Sequence, residues 1–281
     1  MIPAIQGVCL FLLGLAPPAE VESRFEQVLP RLGMASLFPG RVGRQLAVVL
    51  IHGLYLHPFS KENAGRPLLR DWQTPKSRLA RELARQADVY AFAYAQNVPV
   101  DEVARSGRLL ESVRFLRSLD YREIVLVGHS AGGLVARQFV EDHPDEGVTK
   151  VIQVCTPNGG SSLAKWPTSC AAQRVFLHSL TKPERQKSLQ ARQDKRIPAG
   201  VGFVCVVGIG AGEGDGVVRR NCQWTEDLRR QGIPAVTLPV VHPQAMRSSR
   251  TARLLAELIG SALPRWSAKE VEQAQKGILG E

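Results

Sequence analysis

Apolar residues along this chain fall into two kinds of run. Continuous runs occupy residues 45–51 (QLAVVLI), 88–94 (DVYAFAY), 123–127 (EIVLV), 151–155 (VIQVC), 201–209 (VGFVCVVGI) and 235–241 (AVTLPVV). Such runs predict strands buried on both faces, as in a parallel sheet. Between them the apolar positions recur every three or four residues, the spacing of an amphipathic helix. It predicts helices over 75–87, with Leu79 and Leu83 inward, and over 100–119, carrying Val103, Leu109, Leu110, Val113 and Leu116. It predicts two more over 131–141 and 249–262, the latter with Ala252, Leu255 and Ile259 on one face. Val21, Phe25, Val28 and Leu32 give residues 20–32 the same pattern, so a helix is expected there as well. Strands alternating with helices predict an α/β fold, a mainly parallel sheet with helices on both faces. Right-handed crossovers fix the winding, and functional residues belong at the C-terminal ends of the strands.

Composition narrows the class. The 281 residues are 44% hydrophobic and 22% charged, ordinary for a globular chain. A mean hydropathy of −0.09 and the lack of any apolar run of about 18 residues exclude a polytopic membrane protein. There is no internal repeat or low-complexity tract. Five cysteines are too few for a disulfide-built scaffold, and no Cys/His spacing suggests zinc, so neither a metal nor an organic cofactor is expected. The net charge of +10 raises an anionic membrane surface or nucleic acid as partner. No helix-turn-helix, RNA-recognition or zinc-finger pattern accompanies it, so nucleic acid is not expected, and a solvated basic surface is the ordinary reading.

The N-terminus holds an apolar run at 8–16 (VCLFLLGLA), closed by Pro17-Pro18. It has the length of a signal-peptide core, but no Lys or Arg precedes it and no clean Ala-x-Ala site follows. The alternative is an apolar segment packed on the domain. Removing residues 1–19 would take Cys9 and leave an even number of cysteines, which suits an oxidising compartment. Export is the preferred of the two readings. The remaining domain is expected to span 20–281.

The strand at 123–127 runs into Gly128-His129-Ser130-Ala131-Gly132-Gly133 and then into a helix. A Gly-x-Ser-x-Gly string between strand and helix is a nucleophile elbow: the sharp turn lifts Ser130 above the sheet. The glycines allow neighbouring backbone to approach, and the N–H of Ala131 at the helix N-terminus can face a developing oxyanion.

With these residues the chain resembles the α/β-hydrolase superfamily, and within it bacterial lipases and esterases, over roughly 45–262. The resemblance implies a mainly parallel sheet with helices on both faces and a small helical cap, here about 157–200. His52-Gly53-Leu54 looks like the lipase oxyanion loop, which implies the N–H of Leu54 as the second donor beside that of Ala131, with His52 holding the loop. Chain order in the fold is Ser, then acid, then His. His242 follows the strand at 235–241 and matches the base. His178 lies in the insertion and reads as a surface residue, and His57 is a candidate pocket residue. Gly214-Asp215-Gly216-Val217-Val218 looks like the lipase acid loop, with Asp215 as the acid. Glu213 is the competing carboxylate, but it lacks the anchor that Val217-Val218 give Asp215. The string Thr156-Pro157-Asn158-Gly159-Gly160-Ser161 resembles the segment that precedes a lipase cap.

Between Lys165 and Arg196 there are eight basic residues and two acidic ones. They read either as a surface for an anionic interface or acidic substrate, or as a solvated helical face. Cys155 and Cys205 read as small buried residues in strands, and Cys170–Cys222 is a conceivable disulfide in an exported protein. The function implied is hydrolysis of a small-molecule or lipid ester through Ser130, His242 and Asp215. Two alternatives stand: a thioesterase or acyltransferase on the same residues, and a non-catalytic lipid-binding module.

Overall fold

The continuous apolar runs lie side by side in the computed structural model, which describes residues 21–31, 45–56, 61–165 and 171–280. The strands are β1 (Ser23–Leu29), β2 (Leu46–Ile51), β3 (Asp88–Tyr94), β4 (Glu123–His129), β5 (Val148–Val154), β6 (Gly202–Gly208) and β7 (Ala235–Leu238). They form one seven-stranded sheet in the order β1-β3-β2-β4-β5-β6-β7. All neighbours are parallel except β1 and β3.

Period two sends alternate side chains of each strand to opposite faces. In β2, Ala47, Val49 and Ile51 enter one core and Val48 and Leu50 the other, all fully buried. The first core is closed by α3 (Val100–Arg105), α4 (Arg108–Ser118), α5 (Ala131–Asp142) and α11 (Ala268–Leu279), with Leu109, Val113, Leu134, Phe139 and Ile278 inward. The second is closed by α2 (Arg78–Leu83) and α10 (Ser249–Gly260), which contribute Leu79, Leu83, Leu255 and Ile259. Two helices, α6 (Arg174–Ser179) and α7 (Lys182–Ala191), occupy the strandless stretch between β5 and β6, and the short α1 (Lys61–Ala64), α8 (Arg220–Gln223) and α9 (Glu226–Arg230) lie in the connections after β2 and β6. Among the described residues no helix is long and apolar enough to cross a membrane. The apolar run at 8–16, Cys9, His57, Trp166 and Cys170 lie outside the described residues.

Three expectations need correction. Residues 20–32 hold the antiparallel edge strand β1, not a helix. Val21 and Phe25 are four apart, a spacing that fits both periods, and Phe25 stacks on Tyr90 of β3 at 5.3 Å. Val28, three residues on, turns to the other face, where the second core receives it. Arg24 and Glu26, two apart, pair along the strand as period two requires. The helix expected over 100–119 is two helices, broken at Gly107 with φ 76°. Val103 and Leu110, seven apart, keep the helical spacing across the break, so periodicity does not register it. Finally, α11 follows the last helix expected. Its start is a capping box: Ser267 Oγ accepts from Glu270 N–H and Glu270 accepts from Ser267 N–H, the Ser-x-x-Glu signature of a helix N-terminus.

Strand β5 also begins earlier than its apolar run, because Lys150 interrupts it. The Lys150 ammonium is buried at the end of α10 and donates to the carbonyls of Leu258 (3.0 Å), Ile259 (2.7 Å) and Ser261 (2.6 Å). Carbonyls of a last helical turn lack partners in the helix and carry the negative end of its dipole. Burial holds the Lys150 pKa below the usual lysine range, but these contacts stabilise the charged form. Lys150→Met should therefore lower stability by about 1–3 kcal/mol, read as a lower urea midpoint with unchanged slope. An unchanged midpoint would remove Lys150 as the cap of α10.

Candidate active site

The turn from β4 into α5 is fixed by close backbone contact. Ser130 sits at φ 53°, ψ −126°, a conformation that L-residues rarely adopt and that costs of order 1–3 kcal/mol. Its N–H donates to Val154 O at 2.9 Å, which ties the turn to β5. A Cβ on Gly132 would strike the carbonyl oxygens of Ile51 and His52, and one on Gly128 would strike the backbone of Gly132 and Gly133. Only glycine lets the start of α5 lie this close to the end of β2.

Ser130, His242 and Asp215, at the ends of β4, β7 and β6, are brought into one hydrogen-bonded line. His242 Nδ1 donates to Asp215 Oδ2 at 2.7 Å. A carboxylate only accepts, so this bond leaves Nε2 as the acceptor, and Ser130 Oγ lies 3.0 Å from it. The other carboxylate oxygen of Asp215 accepts from Val217 N–H (2.9 Å) and Val218 N–H (2.7 Å). The backbone N–H of His242 donates to Asp215 O at 2.9 Å, joining the two loops. Asp215 is 1% exposed. Glu213 points to solvent and pairs with Arg219 at 3.1 Å.

Cys155 does more than fill space. It stands directly after β5 at φ 53°, and its thiol lies within 4.8 Å of an Asp215 carboxylate oxygen. Burial, and after it the charge of Asp215, push the thiol pKa well above its ordinary value, so the sulfur keeps its proton. A Cβ on Gly208 would lie 2.7 Å from both Asp215 Cβ and Cys155 Sγ, so glycine is needed where the three meet. Cys155, Asp215 and His242 offer atoms of metal-ligand type within 4.8 Å of one another. A metal there would have to ionise that thiol and replace the proton on His242 Nδ1, so the donor set suits hydrogen bonding better than coordination.

The loop after β2 carries Leu54, whose N–H, like that of Ala131, has no acceptor among the described residues. His52 is buried, stacked on Tyr94 at 4.4 Å. Its Nε2 accepts from Tyr94 N–H at 3.2 Å, its Nδ1 donates to Gly53 O at 2.8 Å, and its carbonyl accepts from Tyr94 O–H at 2.7 Å. Gln96, which sequence reasoning missed, completes the loop. Its amide donates to Gly53 O (2.9 Å), and its carbonyl accepts from Tyr55 N–H (3.1 Å) and from Gln173 (3.0 Å). Gln173, just before α6, also donates to Tyr55 O at 2.6 Å. Glutamines two residues beyond a strand and inside a basic insertion leave no periodic signal.

These groups open on a cavity of about 750 Å³. Its walls are mainly apolar, including Leu54, Trp72, Leu177, Leu180 and Val218, with Ser130 and His242 exposed to it. His129 also lines it. Burial, and after it the nearby His242, hold the His129 pKa well below the ordinary histidine range, so its ring is neutral. His178 is exposed on α6, away from the cavity lining. The basic stretch is partly consumed in ion pairs: Arg185 with Asp101, Arg192 with Glu141 and Asp142, Lys195 with Asp142 and Lys187 with Glu184.

Fold and site together define a hydrolase of the α/β class. The model of the alpha/beta hydrolase family matches residues 48–272, and the chain belongs to that family. No curated protein matches the sequence. Among solved structures the chain is similar to the mature form of Bacillus licheniformis lipase BlEst2, with 15% identity and a TM-score of 0.62 over 84% of this chain and 98% of that one. It is similar to phospholipase PlaB from Legionella pneumophila, with 16% identity and a TM-score of 0.58 over 84% of this chain and 63% of that one. A metagenomic carboxyl esterase gives 17% identity and a TM-score of 0.53 over 84% and 77%. At these identities the likeness is one of fold.

The Gln96 contacts yield a test that needs no substrate. Gln96→Met keeps the volume and removes the hydrogen bonds to Gly53, Tyr55 and Gln173. It should lower stability by about 1–3 kcal/mol and speed amide exchange at Tyr55 relative to Val125 in β4. Unchanged exchange at Tyr55 would mean that another contact holds the loop.

Proposed function

We propose that the chain is a serine hydrolase of carboxylic esters, with Ser130 as nucleophile, His242 as base and Asp215 as the acid that orients it. The observation that supports this reading best is the line of hydrogen bonds from Ser130 Oγ through His242 to Asp215, at 3.0 and 2.7 Å. In the proposed reaction Ser130 Oγ attacks the ester carbonyl carbon as its proton passes to His242 Nε2. Asp215 stabilises the imidazolium. The N–H groups of Leu54 and Ala131 receive the oxyanion, the kind of contact whose loss typically lowers kcat by roughly 10²–10³. The tetrahedral intermediate collapses, the C–O bond breaks, and the alcohol leaves with the proton from His242. Water, deprotonated by the same imidazole, then releases the acid and restores Ser130.

The apolar cavity suits an acyl chain, and the insertion over 157–200, which carries α6 and α7, acts in this reading as its cap. Gln173, just before α6, joins that cap to the loop after β2.

A fluorophosphonate probe should label the wild-type protein at Ser130 and leave Ser130→Ala unlabelled. With p-nitrophenyl esters, His242→Ala should lower kcat by roughly 10⁴-fold. Ester turnover by Ser130→Ala at the wild-type rate would sink the proposal. Turnover of acyl-CoA in preference to oxygen esters would move it to a thioesterase on the same residues.

The two carboxylates of the acid loop make separate predictions. Asp215→Asn should reduce kcat by several orders of magnitude, because an amide can donate to Nδ1 and so favours the wrong tautomer. Glu213→Gln should be nearly silent, since the side chain it alters meets only solvent and Arg219. The reverse pattern in kcat would transfer the role to Glu213.

A further inference from the structure

The cavity at Ser130 holds a cation with no carboxylate in ion-pair contact among the described residues. Arg70 and Arg247 are the charged residues among those lining it. Arg247 is already neutralised: it binds Asp71 through Nε (2.6 Å) and Nη2 (3.0 Å), and its Nη1 donates to Pro243 O at 2.8 Å. Both oxygens of Asp71, the carboxylate nearest to Arg70 in sequence, are thereby engaged. Asp71 acts on Arg70 only at longer range, and no carboxylate oxygen among the described residues pairs with the Arg70 guanidinium, Asp71 being taken by Arg247. Its guanidinium lies 3.5 Å over the centroid of the Tyr55 ring. Stacking covers one face of a planar cation and leaves its N–H edge for a ligand.

Arg70 is also held in place. Its N–H donates to Gln73 Oε1 at 3.0 Å, and the buried Gln73 amide donates to Leu50 O (2.8 Å) and Phe92 O (3.2 Å) at the ends of β2 and β3. Tyr55, beneath the guanidinium, is fastened by Gln96 and Gln173. A preorganised guanidinium loses little freedom on binding. Partial burial lowers its pKa from the usual arginine range, and the positive charge reaches His129, whose neutral state it helps to maintain. Arg70 therefore lines the cavity that holds the candidate nucleophile, half-desolvated and without a directly paired carboxylate among the described residues.

We propose that Arg70 determines specificity and that the substrate is an ester carrying an oxyacid anion, a carboxylate or a phosphate monoester. The anion pairs with the Arg70 N–H edge while the ester carbonyl lies at Ser130. This inference rests on the serine hydrolase reading for its chemistry, but the anion contact is a property of the cavity alone.

Two substrate pairs test it: p-nitrophenyl hemiglutarate against p-nitrophenyl pentanoate, and butanoylglycerol phosphate against butanoylglycerol. The first pair puts a carboxylate on the acyl side and the second a phosphate on the alcohol side. The wild-type kcat/KM ratio of anionic to neutral ester should exceed unity by roughly 10- to 100-fold in at least one pair, the range of a charge-assisted pair. The ratio should fall with added salt. Arg70→Gln should abolish it, chiefly through KM of the anionic ester, and Arg70→Lys should restore part of it. A ratio near unity in both pairs, or one untouched by Arg70→Gln, overturns the proposal and leaves the hydrolase reading intact. If the protein neither turns over esters nor reacts with fluorophosphonate, the hydrolase reading fails instead. Calorimetric binding of the same pairs to Ser130→Ala then decides on Arg70. Tighter binding of the anionic member, lost in Ser130→Ala/Arg70→Gln, supports the anion site, and equal or absent binding overturns it.

Discussion

The contact between the start of α5 and the end of β2 is the constraint on which the rest of the site depends. Gly132 lies against the carbonyls of Ile51 and His52, where a methyl group could not fit. That contact sets the N–H of Ala131 beside the loop that carries the N–H of Leu54. It also forces the turn in which Ser130 takes a positive φ. A positive φ at a non-glycine residue persists only where its surroundings over-determine it. Here they do so through the Ser130 N–H bond to Val154 O and the fully buried apolar side chains of β4 and α5. Parallel packing of β2, β4 and β5 thus has a chemical consequence, since it is what makes room for the strained turn at their C-terminal edge.

The polar groups around that edge are nearly all neutral and nearly all paired with backbone. His52, Gln73, Gln96 and Gln153 are buried at 4% exposure or less, and each bonds to a main-chain carbonyl in its vicinity. Neutral amides can satisfy backbone groups at the ends of strands without the desolvation cost of a charge. Asp215 is the exception, a buried carboxylate. It is met by donors, two N–H groups and His242, with the protonated Cys155 thiol alongside. An ion is tolerable at that depth only when its lone pairs are met in this way.

What the sequence could disclose follows from how each feature is encoded. The parallel strands were legible because burial on both faces demands unbroken apolar runs. The elbow and the His242 and Asp215 positions were legible because they occupy fixed places relative to those runs. The edge strand β1 was not, because its single paired side tolerates Arg24, Glu26 and Gln27 and its few apolar residues mimic a helical period. The break at Gly107 hid behind apolar positions that stay in phase. Gln96, Gln173 and the place of Cys155 beside Asp215 depend on contacts between segments far apart in the chain. The capping box at Ser267 and Glu270 was present in the sequence as a local signal, and nothing but its position after a proline-containing stretch masked α11.

Charge in the stretch between β5 and β6 works inward. Arg185 is 2% exposed and bound to Asp101 at the start of α3. Arg192 reaches Glu141 and Asp142 at the end of α5, where Lys195 joins it. On the inner side Arg137 of α5 is held among Glu141, Asp227 and Asn158. A run of basic residues that could be read as an electrostatic surface is in part the fastening that holds α7 against the helices of the main layer. Each of these cations meets a carboxylate provided by the fold, and so each is accounted for by structure. Arg70 differs in that respect. Its backbone is fixed by Gln73 and its guanidinium rests on Tyr55, so its position is determined, yet among the described residues no carboxylate pairs with it directly. Where a fold goes to the length of positioning a cation and engages the nearest carboxylate elsewhere, a direct carboxylate or phosphate partner is most economically supplied by the molecule that enters the cavity.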